Sequence, residues 1–254
     1  MRFKISFFSE DRIDKPIPVP DNIRAILISF LKKTFEISSD EIFKTLFTGK
    51  KVKPYVFSPY FGEEFLENKK IGNEISIIFS SGDFEIITTF WNGLLKLKNE
   101  KKDYIEINRI KFWLKNIDVL PDKKIKNREC IFKTVGISVL TDPSVSPDEF
   151  KKWYIIPEET NIENFNNILK NRITQKFKLI KNEEIKSDIE FRFFEENGKI
   201  LPVKETIIPH FSGYVRGFRG LFILRGDLEI LQFIYDFGFG VRTGQGFGLL
   251  EIVK

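Results

Sequence analysis

The feature that most constrains this chain is a change in hydrophobic period that occurs twice in the same order. Residues 2–8 alternate, with Phe3, Ile5 and Phe7 on one face and Arg2, Lys4 and Ser6 on the other, the period-2 mark of a half-buried strand. Beyond Pro20, with Asp21 the expected N-cap, Ile23, Ile26, Leu27, Phe30, Leu31 and Thr34 recur at helical spacing to about Ile37. Ser39-Asp40-Glu41 opens a shorter helical turn through Leu46, and Tyr55 to Ser58 is extended between Pro54 and Pro59. Ile75, Ile77 and Phe79 mark another strand. Ser81-Gly82-Asp83 then reads as turn and cap for a helix with Phe84, Ile87, Phe90, Trp91, Leu94 and Leu95 inward, and Tyr104 to Val119 returns to strand.

The order begins again after the charged stretch Pro121 to Glu129. Ile131 to Leu140 reads as a strand, Asn161 to about Ile180 as a helix with Ile162, Phe165, Leu169 and Ile173 inward, and Ile189, Phe191 and Phe193 as a strand. Phe211 to Leu224 is extended and interrupted by glycines, Asp227 caps a helix carrying Leu228, Leu231, Ile234 and Tyr235, and Gly246 to Val253 is the last strand. Two copies of a βαββαβ order predict an α+β chain of two tandem ferredoxin-like (RRM-like) domains, residues 1–121 and 129–254, with 121–129 as the linker. At 254 residues the chain has room for both.

Composition excludes several function classes. The single Cys130 closes no intrachain disulfide and fits a reducing cytoplasm. No stretch approaches the roughly 18 uninterrupted apolar residues of a membrane span, and Met1 leads into an alternating strand rather than an apolar signal core, so a soluble cytoplasmic protein without membrane contact is expected. His210 is the only histidine, which rules out His-rich zinc sites and a two-histidine relay; no metal and no cofactor is expected. Lys and Arg total 41 against 36 Asp and Glu, a net charge of +5 that biases the chain toward polyanions. The cations cluster: Lys50, Lys51 and Lys53 follow the first helices, and Arg216, Arg219, Arg225 and Arg242 occupy a Gly- and Phe-rich final third.

The densest motif is Gly238-Phe-Gly240-Val-Arg-Thr-Gly244-Gln-Gly246-Phe-Gly248. It lies between a helix and a strand and lacks a following Gly-Lys-Ser/Thr, so neither a Rossmann nor a Walker loop fits. Its glycines admit two readings. Exposed N–H groups of Gly240, Gly244 and Gly246 with Arg242 would cradle phosphates, or the glycines would relax a turn that packs against the sheet.

This motif, with Leu-Leu-Glu-Ile-Val after it, resembles the signature of the CRISPR-associated Cas-six family of precursor-RNA processing endoribonucleases within the repeat-associated RAMP superfamily. The likeness extends to the opening Arg-Phe-Lys-Ile strand, Val19-Pro20, Asn92-Gly93-Leu94-Leu95 and the glycine-spaced segment from Gly213 to Gly220. The resemblance implies two tandem ferredoxin-like domains, binding of CRISPR repeat RNA in a positive cleft, and cleavage without metal by 2′-hydroxyl attack, leaving a 2′,3′-cyclic phosphate and a 5′-hydroxyl.

Members of the family resemble one another in using a tyrosine or similar residue on the first helix, a histidine after it and a lysine shortly beyond. Aligned through Val19-Pro20 and Leu46, those positions fall at Lys32, Phe47 and Lys53. The histidine is absent. The candidate catalytic set is therefore Lys32, Lys50, Lys51 and Lys53, with Ser29 and Thr48 as hydroxyl helpers, although the same lysines would also serve simply to grip phosphates. Arg216, Arg219, Arg225, Arg242, His210 and the loop glycines are the expected RNA contacts, and Tyr214 and Phe218 are candidates for base stacking. Two rivals stand beside the endoribonuclease reading: a catalytically inactive RNA-binding subunit of an interference complex, and a small-molecule or protein-interaction module. A homodimer and association with effector-complex subunits are both compatible with the sequence.

Overall fold

A computed structural model describes residues 1–10, 17–61, 70–186 and 188–253. In chain order the first half contains β1 (Arg2–Phe8), β2 (Ile17–Pro18), α1 (Ile23–Ser38), α2 (Asp40–Phe47), β3 (Val56–Tyr60), β4 (Lys70–Ile71), β5 (Glu74–Ser80), α3 (Phe84–Asn99), β6 (Tyr104–Ile107) and β7 (Ile110–Leu120). The second half contains β8 (Glu129–Val135), a single helical turn at Phe150–Trp153, α4 (Ile162–Lys181), β9 (Ile189–Glu196), β10 (Lys199–Leu201), β11 (Lys204–His210), β12 (Gly213–Arg219), β13 (Leu221–Gly226), α5 (Leu228–Phe237) and β14 (Leu249–Ile252).

The two large sheets run β3-β5-β1-β7-β6 and β10-β9-β13-β8-β14. With the extra edge strands β6 and β10 set aside, each has its principal strands in the order second, third, first, fourth, so both halves are ferredoxin-like. Helices cover one face of each sheet, and the cores lie between. Phe35, Phe79 and Phe90 fill the first, with Phe79 and Phe90 stacked at 4.0 Å; Phe191, Phe218, Phe222 and Phe239 fill the second. In a chain with one alanine, large rings set the spacing and glycine provides the close approaches. Gly93 on α3 is one: a Cβ there would overlap the Thr34 carbonyl of α1.

The sheets are joined directly. Arg2, almost fully buried, lies 3.4 Å over the Tyr235 ring and donates to the carbonyls of Leu250 (2.6 Å) and Tyr235. The Ser80 hydroxyl donates to the Asp236 carbonyl at 2.9 Å, and Phe237 abuts Gly82.

Several local expectations are corrected. The stretch from Tyr104 to Val119 is two strands, because Asn108 and Arg109 both take positive φ (51° and 68°) and close a two-residue hairpin. Phe211 to Leu224 is likewise not continuous: β12 forms a two-stranded ribbon with β11 outside the main sheets, its Phe218 bridged to Ser138, and Gly220 leads into β13. The strand expected over Ile131–Leu140 ends at Val135, before Gly136 at φ 87°. Pro59 lies inside β3, an edge strand that tolerates a missing donor. Asn22, not Asp21, occupies the N-cap of α1, and Asp227 sits at the cap of α5 without a side-chain cap bond. Phe84, Leu95, Ile162 and Leu228 point to solvent.

Gly93→Ala is expected to lower unfolding stability by about 1–3 kcal/mol, the usual cost of forcing a methyl group against backbone. Urea unfolding of the full chain measures it, and an unchanged midpoint would contradict the close contact of α1 with α3.

Candidate functional site

A cleft of about 530 Å³ opens where the halves meet, and both contribute cations to it: Lys50, Lys51 and Lys53 from the segment after α2, Arg172 and Lys176 from α4, and Arg242 from the glycine-rich turn. Residues four apart on a helix share a face, which brings Arg172 and Lys176 to the same side of α4.

The turn is shaped by positive φ at Gly238 (88°), Gly240 (65°), Arg242 (60°), Gly246 (89°) and Gly248 (77°). It is pinned to its own domain by Phe239 N–H donating to Gly248 (2.7 Å), Val241 N–H to Val139 (2.9 Å) and Gly248 N–H to Ile137 (2.8 Å). Its other side packs on the first domain: a Cβ on Gly238 would meet Val56 at 2.7 Å, and one on Gly246 would meet Phe57 at 3.2 Å. The phosphate-cradle expectation is corrected for Gly246, which is buried and whose N–H donates to the Thr243 carbonyl. Gly240, buried against the Val139 carbonyl, and half-buried Gly244, against the Lys53 side chain, both line the cleft.

Across the cleft, Lys53 and exposed Lys32 place their ammonium groups 5.3 and 5.5 Å from the Phe47 ring centroid. Lys53 also donates to the Leu46 carbonyl. Burial, reinforced by the Lys32 and Lys51 charges, holds Lys53 below the ordinary lysine range. Lys50 and Lys51 are exposed, as are Ser29 on α1 and Thr48 at the C-cap of α2.

Of the expected arginines, only Arg242 lines the cleft, 5.6 Å over Trp153 and donating to Gln245 at 3.2 Å. Arg216 is buried in an ion-pair triad, 2.5 Å from both Glu159 and Glu205, and also donates to the Lys151 carbonyl. Its guanidinium has no face left for a phosphate, and that expectation is corrected. Arg225 stands opposite Glu129 and Glu190 on the neighbouring strands, and Arg219 sits on the β12 ribbon opposite Lys204; neither lines the cleft. Of the stacking candidates, Phe218 is core and Tyr214 is exposed.

His210 is buried beside the turn. Its Nε2 lies 3.1 Å from Gln245 Oε1 and its ring packs edge-on against Phe247. Burial lowers its pKa, and Arg24 and Arg242 lower it further against the raising effect of Gln245. Three cations escaped the sequence reading. Arg24 of α1 donates to the Gly246 carbonyl at 3.3 Å and lies 4.7 Å over Phe247, with burial holding its pKa down to about 10. Arg172 clasps Thr141 through its carbonyl (2.9 Å) and hydroxyl (2.8 Å). Lys176 donates to the carbonyls of Phe237 (2.7 Å) and Gly238 (2.8 Å) at the end of α5, and burial lowers its pKa to about 7. A lysine inside the inward stripe of α4, between Ile173 and Phe177, was the available signal.

Among the described residues, no three His, Cys, Asp or Glu side chains gather as metal donors, and no helix is long and apolar enough to cross a membrane.

Comparison with known proteins places these features in a context. A family model described as the C-terminal part of CRISPR associated protein Cas6 matches residues 120–252, more than half of the chain. A putative CRISPR-associated endoribonuclease-like protein Cas6 from Pyrococcus furiosus is 29% identical over 190 residues, 73% of this chain and 71% of the relative. The CRISPR-associated endoribonuclease Cas6 1 of Methanocaldococcus jannaschii is 24% identical over 258 residues, 100% of this chain and 95% of the relative. Among solved structures, a Cas6-related protein from Pyrococcus furiosus superposes with a TM-score of 0.78 at 24% identity, covering 100% and 98% of the two chains. A Cas6 product complex superposes at 0.65 and 14% identity, covering 99% of each.

Between about pH 7 and the ordinary lysine range, the unfolded chain holds a proton on Lys176 that the folded chain releases, so this group's contribution to stability rises with pH across that window. Lys176→Met is expected to flatten the rise, read as the difference in urea unfolding between pH 7.5 and about pH 9.5. An equal rise in the variant would show that the buried amine is not its source.

Proposed function

The chain belongs to the CRISPR-associated Cas6 family, and on that premise we propose that it binds CRISPR repeat RNA across the cleft between its two domains and cuts it without metal. The observation that supports this best is the convergence of the Lys32 and Lys53 ammonium groups on Phe47, beside a cleft with cations on both walls. A polyribonucleotide in the cleft would meet lysines of the first domain and Arg242 of the second on successive phosphates.

In the reaction the 2′-hydroxyl attacks the adjacent phosphorus, the 5′-oxygen leaves, and the products carry a 2′,3′-cyclic phosphate and a 5′-hydroxyl. Lys53 is the proton donor to the leaving oxygen, because its lowered pKa makes its ammonium a stronger acid than an ordinary lysine. Lys32, with Lys50 and Lys51, steadies the charge that builds on the phosphorane. Phe47 supplies no base, so the 2′ proton leaves to solvent, and the step forgoes the roughly 10²–10⁴-fold that a positioned general base contributes. Ser29 and Thr48 offer hydroxyls on α1 and at the end of α2. The same Phe47 favours the second reading, an RNA-binding relative that grips and does not cut.

Labelled repeat RNA incubated with the protein in EDTA separates the two. Cutting that persists there and vanishes with a 2′-deoxy sugar at the scissile position supports the enzyme; tight binding with no product supports the subunit. Lys53→Met is expected to slow single-turnover cleavage about 10²-fold or more while weakening binding far less. The wild-type rate should fall with rising pH at a point below the ordinary lysine range, since Lys53 acts while protonated. Phe47→His is expected to raise the rate by roughly 10- to 100-fold, and an equal or lower rate would remove Phe47 from the reacting centre.

A further inference from the structure

The face of the first sheet turned away from its helices carries aromatic rings and lysines that the cleft does not use. Antiparallel partners in register point to the same side, and β1, β7 and β6 are neighbours in that sheet. Phe8 on β1 stands opposite Trp113 on β7, and Trp113 stands opposite Tyr104 on β6. The Tyr104 and Trp113 ring centroids are 4.9 Å apart. Each ring has an ammonium group nearby: Lys115 is 4.7 Å over Phe8, and Lys111 is 4.8 Å over Tyr104 and 6.0 Å from Trp113. Lys33 reaches Tyr104 from the helix side at 5.3 Å. All three rings are half-buried, while Lys111 and Lys115 are exposed.

From this we infer that the outer face of β1, β7 and β6 is a second RNA-binding surface, which takes unpaired nucleotides by stacking. The inference rests on the reading of the chain as an RNA-binding member of its family. Neighbouring strands are about 4.8 Å apart, so the rings form a row that accepts two or three bases, as sheet-borne aromatics do in RNA-recognition domains. A base arriving on a ring displaces the ammonium group above it, and that group moves to the flanking phosphate. Lysine is the wrong cation for a protein partner, since protein interfaces are enriched in Arg and depleted in Lys. Glu74 and Glu106 stand in register beside Phe8 and Lys111, so the face is close to neutral and stacking carries the binding. This surface therefore differs from the cleft in a measurable way: ring removal costs affinity without changing the salt dependence, whereas loss of a cleft lysine lowers the salt slope by about 0.7 per phosphate contact.

The test uses the full chain and a 12-nucleotide oligouridylate, with the minimal repeat as the second RNA. Trp113→Leu combined with Tyr104→Leu is expected to weaken oligouridylate binding by about 10- to 100-fold at an unchanged salt slope, while single-turnover cleavage of saturating minimal repeat stays at the wild-type rate. Unchanged oligouridylate affinity in a folded double variant overturns the inference; failure of the wild-type protein to bind either RNA overturns the premise instead. Should the double variant fail to fold, crosslinking of unmodified protein to 5-iodouridine RNA decides. Adducts on Trp113 or Tyr104 support the surface, and adducts confined to cleft peptides refute it.

Discussion

The arrangement of the molecule depends on a guanidinium taken out of water. Arg2 sits between the two sheets, where its burial lowers its pKa and would be costly without compensation. Compensation comes from two carbonyls and the face of Tyr235, all of them in the second half. Those partners fix the angle between the sheets, and that angle decides whether lysines after α2 and an arginine on the glycine-rich turn face one another. The turn follows from the same constraint. Gly238 and Gly246 clear the space in which the second domain rests on β3, so the turn acts as a spacer there and, from Gly240 to Gln245, as a wall of the cleft.

A cleft of this kind separates gripping from cutting. Gripping needs charge at roughly the spacing of phosphates, and lysines on mobile stems supply it at any pH below their own titration. Cutting needs a proton moved at the right atom. Burial beside Lys32 and Lys51 displaces Lys53 toward that role without a histidine. His210, the single imidazole, is occupied elsewhere: it is packed on Phe247 and bonded to Gln245, where it braces the turn.

Much of the fold was legible because the hydrophobic period switches sharply, and Asp83, Ser39 and Asn161 cap their helices through the side-chain bonds their identity suggests. The hairpins were harder. Asn108-Arg109 closes a two-residue turn without glycine, so hydrophobic period alone does not separate β6 from β7, whereas Asn197-Gly198 between β9 and β10 is a strong turn signal in the sequence itself. At the site, residue type predicted charge and not its employment. Arg216 and Arg242 look alike in sequence, yet one is enclosed by Glu159 and Glu205 and the other lines the cleft, because Glu205 comes from the facing strand β11 and Glu159 from the stretch before α4. Lys176 and Arg24 were hidden for the converse reason: each interrupts an apolar stripe, and only tertiary packing shows what it holds.

The hydrogen bond from Arg2 to Leu250 spans 248 positions of the chain. A ribosome makes the acceptor 248 peptide bonds after the donor, so through that whole interval this arginine waits without its anchor. The first domain can collapse around its phenylalanines in the meantime, yet the space between the sheets acquires its second wall only after the closing strand emerges. A nascent chain therefore has no assembled cleft until β14 is made, and the two walls of the cleft come into place together.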